Sequence, residues 1–148
     1  MRNLLVSLLV CGILVSACKT EQKSESESDS IETKAQQRVR PAAAGGTSAA
    51  YFTYTNTLSE SDTILGVTSR IAAVTQVHET YKTEDGMMGM RHKTDLTVQP
   101  KETMVFEQGG LHVMLMQLNN ELSEGDSISV TLQLSKAGEV EIKLPVKN

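Results

Sequence analysis

The strongest constraint in this chain is a period-two hydrophobic pattern near its C-terminus. In SISVTLQLS, Ile128, Val130, Leu132 and Leu134 fall on one face, and EVEIKLPV repeats the pattern with Val140, Ile142, Leu144 and Val146. That period places alternate side chains on one side of a strand and cannot form the stripe of a helix, whose period is 3.6. Lys136-Ala137-Gly138-Glu139 supplies a glycine-containing turn between the two runs, so the segment predicts a β-hairpin. Further β-branched runs, AYFTYTNT, TILGVTS and AAVTQVHET, begin near Ala49. Polar turn signals stand at 58–62, 84–86, 108–110 and 121–126. Seven or eight short strands at this spacing predict an all-β, antiparallel β-sandwich. The segment 49–148 is long enough for one modest core. With only 3% aromatic residues and no Trp, that core is expected to be built from Val, Ile and Leu.

Charge and cysteine content exclude several functions. The net charge is −4 and the pI about 5.4. Without a basic stripe the chain lacks the electrostatic footprint of a nucleic-acid binder, and five aromatic residues give little from which to build a base-stacking surface. Both cysteines, Cys11 and Cys18, lie in the first 18 residues. A disulfide framework or a cysteine-ligated zinc site is therefore ruled out for the remainder. No G-x-S-x-G elbow, H-E-x-x-H motif or glycine-rich phosphate loop occurs, so an enzyme is not expected.

Residues 1–17 read as a targeting signal. Arg2 precedes LLVSLLVCGILV, an apolar run of twelve, short of the ~20 residues that span a bilayer. The run closes on Val15-Ser16-Ala17-Cys18, which resembles a bacterial lipobox, in which the cysteine thiol is acylated and the peptide is cut before it. The alternative is an ordinary signal peptide with Cys18 incidental. Lipidation at Cys18 would place the mature protein on the periplasmic side of a bacterial membrane, and Lys19 favours the outer membrane. Without Arg2 the mature chain has 13 basic against 18 acidic residues, a net −5. Residues 18–48 are rich in Ser, Glu, Gln and Lys and then in Ala and Gly. They cannot bury enough surface to offset ordering entropy and read as a flexible linker. The thirty residues after Cys18 span roughly 30 Å. A short helix around 31–39 is compatible with the composition.

The chemistry is concentrated in 78–116. All three His (His78, His92, His112) and all six Met beyond the initiator (Met87, Met88, Met90, Met104, Met114, Met116) lie there. A neutral, polarisable thioether selects soft ions, Cu(I) above all, while imidazole suits many metals. In an oxidising compartment thioethers escape the disulfide formation that threatens a thiolate site, although they can form sulfoxides. In GGLHVMLMQL, His112 and Met114 share a strand face, with Cα atoms roughly 6–7 Å apart, and Leu111, Val113 and Leu115 point the other way. Met104, in TMVF, reads as core filler, and Met116 as filler or the margin of a site. Gly86 and Gly89 flank Met88, so a turn or bulge is expected there. Blue-copper electron transfer needs a Cys ligand that the domain lacks.

These residues, His78, Met90-Arg91 and Gly-Gly-Leu-His112-Val-Met114-Leu-Met116, resemble the PCu(A)C family of periplasmic copper chaperones. Its motif is a His, about ten residues, a Met, twenty-one residues, then His-x-Met. Twenty-one residues separate Met90 from His112, while eleven, one more than usual, separate His78 from Met90. The extra residue is assigned to a hairpin near 82–86. His92 stands where the family more often has Pro. AAYFTYTN and the closing hairpin resemble the family's first and last strands, so the resemblance spans about 49–147. It implies a cupredoxin-like/immunoglobulin-like sandwich in which His78, Met90, His112 and Met114 bind one Cu(I) in a solvent-accessible site at one end. Met88 is the alternative to Met90 if the hairpin register slips by two. His92, folded back, is an extra or Cu(II)-binding ligand. Glu79 and Arg91 either orient the ligands, contact a partner or are solvated surface charge.

The resemblance also implies a copper-accepting partner, such as the copper A centre of cytochrome c oxidase or a thiol-bearing chaperone. Two other functions fit the same residues. One is a copper storage or detoxification lipoprotein that uses the surplus Met. The other is an adhesion or assembly module whose Met cluster is only packing.

Overall fold

The computed structural model describes residues 37–148 apart from Asp95. The expected signal peptide 1–17, Cys18 and the first part of the linker lie outside the described residues. Ten strands follow in order: β1 (Arg38–Val39), β2 (Thr47–Thr55), β3 (Asp62–Thr68), β4 (Ala72–Lys82), β5 (Met88–His92), β6 (Leu96–Val98), β7 (Thr103–Phe106), β8 (Leu111–Leu118), β9 (Ser127–Leu134) and β10 (Gly138–Pro145). They form a six-stranded sheet of order β1-β2-β7-β8-β4-β5 and a four-stranded sheet of order β10-β9-β3-β6. The all-β sandwich reading holds, with more strands than the seven or eight expected and no helix among the described residues. The extra strands are the short β1 and β6, too brief to show a hydrophobic period.

The closing hairpin pairs as its alternation requires, with Gly138 opposite Leu134 and Leu144 opposite Ile128. Ile128, Val130, Leu132, Leu134, Leu144 and Val146 are all buried. The core is not all aliphatic, and Tyr54 belongs to it alongside the two Phe. Both Phe of the chain lie at its centre, Phe52 of β2 stacked on Phe106 of β7 with ring centroids 4.5 Å apart. β2 divides its pairing, using Thr47–Ala50 for β8 and Phe52–Thr55 for β7.

The folded body begins earlier than Ala49. Arg38 and Val39 pair with Tyr51 and Ala50, so strand pairing reaches into the stretch read as linker; of the short helix around 31–39, residues 31–36 lie outside the described residues and 38–39 are strand. Val39 is fully buried and also bridges Val146, so this segment ties one sheet to the end of the other. A lone Val in a polar stretch carries no period, and only tertiary burial decides its state.

Asp62 fastens the smaller sheet. The residue is buried, and its carboxylate accepts from the Ser135 hydroxyl and from the backbone N–H groups of Thr63, Lys136 and Ala137. The start of β3 is thereby bound to the β9–β10 turn. Burial alone would raise its pKa, but the four donors outweigh burial and bring it to about 2. With the folded pKa below the ordinary 3.8, this carboxylate stabilises the fold above that pH and loses its contribution as pH falls towards 2. Asp62→Asn should cost on the order of 2 kcal/mol at neutral pH and flatten the fall in stability between about pH 4 and pH 2. Urea unfolding across that range measures both; an unchanged acid slope would show that other carboxylates dominate.

Candidate metal centre

Strand β4 lies between β5 and β8 and brings the candidate donors together. His78 is directly opposite His92 of β5 and His112 of β8, so the three imidazoles form one row across three strands. The His78 ring is 5.9 Å from the His92 ring and 6.1 Å from the His112 ring, centroid to centroid. Val77 and Val113, which alternate with them, point into the core at 4% and 0% exposure. The row therefore stands on the outward face of the larger sheet, beside the 107–110 loop.

Met90 and Met114 reach this row from opposite sides. Met90 faces Thr80, two residues beyond His78, and Met114 faces Gln76, two residues before it. Each Met is thus a diagonal neighbour of His78, at about 7–8 Å between backbones and within reach of a long side chain. Met114 also lies opposite Ala49 of β2, whose small side chain leaves room above it. Met90, His112 and Met114 line one cavity of about 320 Å³, together with Thr80, Tyr51 and Arg40. A larger depression of about 980 Å³ is lined by Arg70, Glu139 and Glu141 among others and contains neither imidazole nor thioether.

The remaining candidates divide. Met88 faces Lys82, one further step from the row, and does not line the cavity, so Met90 is the better placed of the two. Met104 packs against the core as filler. Met116 shares the face of Met114 but is not among the cavity residues. Of the expected turn or bulge, the structure has the turn, with Gly86 in it, whereas at Gly89 there is no bulge because Met88–His92 pairs with β4 without a break. Gly89 is needed for another reason: a Cβ there would come within 2.8 Å of the Tyr81 ring. The hairpin between His78 and Met90 closes through a turn at 83–87. There Thr83 N–H donates to the Met87 carbonyl at 2.8 Å, and Gly86 takes a φ of +80°.

The other side of this hairpin fixes its register. Arg91 donates through Nε and a terminal nitrogen to Glu79 at 3.0 and 2.7 Å, Lys93 adds a contact at 3.5 Å, and the Arg91 guanidinium lies over the Tyr81 ring. These charges hold the Glu79 carboxyl below its usual range, through the Arg91 hydrogen bond foremost. They lie on the face opposite the imidazoles, so they position β5 and do not touch the donors.

The ring environments suit metal binding. His112 is 4% exposed, and its Nδ1–H donates to the Gly110 carbonyl at 3.1 Å. A carbonyl can only accept, so the lone pair stays on Nε2, the arrangement that orients a metal-binding imidazole. The His78 Nε2 donates to Gln76 Oε1 at 3.1 Å. Burial lowers the His78 pKa, and the neighbouring His112 and His92 lower it further, so the ring stays neutral and its lone pair available at neutral pH. Sequence reasoning missed Gln76, Thr80, Tyr51 and Arg40, none of which carries a motif. Only pairing between distant segments brings them to the site.

The family model described as "Putative lipoprotein LpqE-like" matches residues 33–146. The "Putative lipoprotein Lxx21020" of Leifsonia xyli subsp. xyli is 36% identical over 108 residues, covering 72% of this chain and 64% of that protein. This chain therefore spans less than two thirds of that relative's length. Among solved structures, the "Copper-bound PCuAC domain from PmoF2" aligns over 74% of this chain and 86% of its own, at 23% identity and a TM-score of 0.59. The solution structure of CuI-DR1885 from Deinococcus radiodurans aligns over 80% of this chain and 85% of its own, at 24% identity and a TM-score of 0.54. The chain belongs to the LpqE-like family, and its fold is that of the PCuAC domains its sequence resembles.

Proposed function

We propose that this protein is an extracytoplasmic copper chaperone that holds one Cu(I) through His78, Met90, His112 and Met114 and passes it to a copper-requiring protein. The observation that carries this reading is the shared cavity. Met90, His112 and Met114 line it together, and His78 stands beside His112 in the adjacent strand. Two neutral imidazoles and two neutral thioethers form a donor set that prefers Cu(I) to Zn, Mg or Ca. The fold it shares with a copper-bound PCuAC domain supports the same reading. The lipoprotein description of the family supports anchoring at Cys18 on the periplasmic side of a bacterial membrane.

Transfer would proceed by exchange of ligands. Met90 is 62% exposed whereas His112 is buried. A partner's thiolate or imidazole can replace the exposed thioether while buried His112 and half-buried His78 and Met114 still hold the ion. The acceptor would be a site such as the copper A centre of cytochrome c oxidase, or a thiol-bearing chaperone upstream of it. Storage or detoxification is the second reading, favoured by Met87 and Met88, both largely exposed and outside the cavity.

Anaerobic Cu(I) titration of the protein against a competing chelator separates these readings. A chaperone should retain one tight Cu(I), with His112→Ala and Met90→Ala each weakening it at least tenfold, about 1.4 kcal/mol. Several ions per chain would favour storage. No retention, with the variants indistinguishable from wild type, would leave only a packing role for the Met cluster.

The pH profile tests the imidazoles separately. Binding requires neutral His, and the His78 pKa lies below the ordinary 6.5. Cu(I) affinity should therefore be nearly level from about pH 8 to 7 and fall towards pH 5 as protons compete. A flat competition curve over the whole range would argue against two imidazole ligands.

A further inference from the structure

The copper-chaperone reading uses two of the three imidazoles in the row and leaves His92 without a role. His92 ends β5, the edge strand of the larger sheet, and is exposed. It is nonetheless the residue directly opposite His78, nearer in register than Met90. Two donor sets of different character therefore overlap on one face. One contains the thioethers of Met90 and Met114, and the other is the all-nitrogen row His92–His78–His112; His78 and His112 belong to both.

From this overlap we infer that the site holds copper in either oxidation state by exchanging ligands, with His92 as the residue that adds Cu(II). Cu(II) prefers imidazole nitrogen and water in a tetragonal arrangement, and it stands highest among the divalent first-row ions for such donors. Thioethers contribute little to it. The three rings do not converge on one point as they stand. Their 5.9 and 6.1 Å spacings exceed the separation of two adjacent imidazoles on one ion with metal–nitrogen bonds of about 2.0 Å. Closure requires His92 to swing inward over His78, which its exposed position on an edge strand permits, and the half-buried His78 ring to turn towards His112. No electron transfer is part of the inference: each oxidation state is bound as it arrives. Cu(I) is held with the thioethers of Met90 and Met114, and Cu(II) with the imidazole of His92.

The inference rests on the copper-chaperone reading for its Cu(I) half, and the test separates the two. Wild-type protein, His92→Ala, His92→Gln and Met90→Ala are each titrated with Cu(I) anaerobically and with Cu(II) in air. The Cu(II) forms are then examined by electron paramagnetic resonance for nitrogen splitting. Both His92 variants should lower the ratio of Cu(II) to Cu(I) affinity at least tenfold and remove one nitrogen from the spectrum, whereas Met90→Ala should raise that ratio. Because His92 is exposed, its variants should keep the wild-type unfolding midpoint, and two substitutions guard against a local packing effect. Tight Cu(I) binding with a Cu(II) affinity and spectrum indifferent to His92 would overturn the inference and leave the chaperone reading intact. Cu(II) binding that depends on His92, without any Cu(I) binding, would support the imidazole row and refute the Cu(I) chaperone.

Discussion

The register of β4 against its two neighbours is the constraint on which the rest depends. A slip of one residue would send every side chain of a strand to the opposite face, carrying the imidazoles inward and the valines outward. On the β8 side the register is held by the core, because Val77 opposite Val113 must stay buried. On the β5 side it is held by surface contacts: the Glu79–Arg91 pair, and Tyr81 lying over Gly89. These supports differ in strength. Burying a Val stabilises by about 1.5–3 kcal/mol, whereas an exposed ion pair contributes about 0–1 kcal/mol. His78, His112 and Met114 are thus firmly set, and Met90 and His92 occupy the more compliant half.

The parts of this arrangement that lie within one strand were legible in the sequence. The separation of His112 and Met114 from Leu111, Val113 and Leu115 follows from alternation, and so does the 128–146 hairpin. What could not be read is which residues face one another across strands. His92 opposite His78, Thr80 beneath Met90 and Ala49 beside Met114 arise from pairing between segments whose registers no local pattern specifies. The N-terminal boundary failed for a related reason. Val39 is buried by Val146, more than a hundred positions away, and its own surroundings give no sign of it. Composition counted the aromatic residues correctly but could not show that both Phe meet at the centre of the core.

The two faces of the β4–β5 hairpin divide its work. One carries Glu79, Tyr81, Arg91 and Lys93, whose contacts with one another hold β5 against β4. The other carries His78, Met90 and His92. A charged pair among the donors would compete for the imidazoles; on the opposite face it can hold the strand without entering the coordination sphere. This separation explains how an edge strand with little core contact still presents its donors in register with the centre of the sheet.

Exposure then gives the site a direction. His112 is buried and has its Nδ1 fixed by the Gly110 carbonyl, His78 is half-buried, and Met90 on the edge strand is largely exposed. For a bound Cu(I), a displaced thioether at the edge is readily solvated and replaced, while loss of His112 would require opening a packed region first. On the proposed Cu(I) reading, an incoming ligand would meet Met90 before Met114, His78 or His112, and the His112 bond would be the last to break. No further strand lies beyond β5 among the described residues, so the approach to that first bond is open. A chaperone needs such a gradient: uniformly buried donors would hold the ion too slowly exchanging to deliver it, and uniformly exposed ones would release it to water.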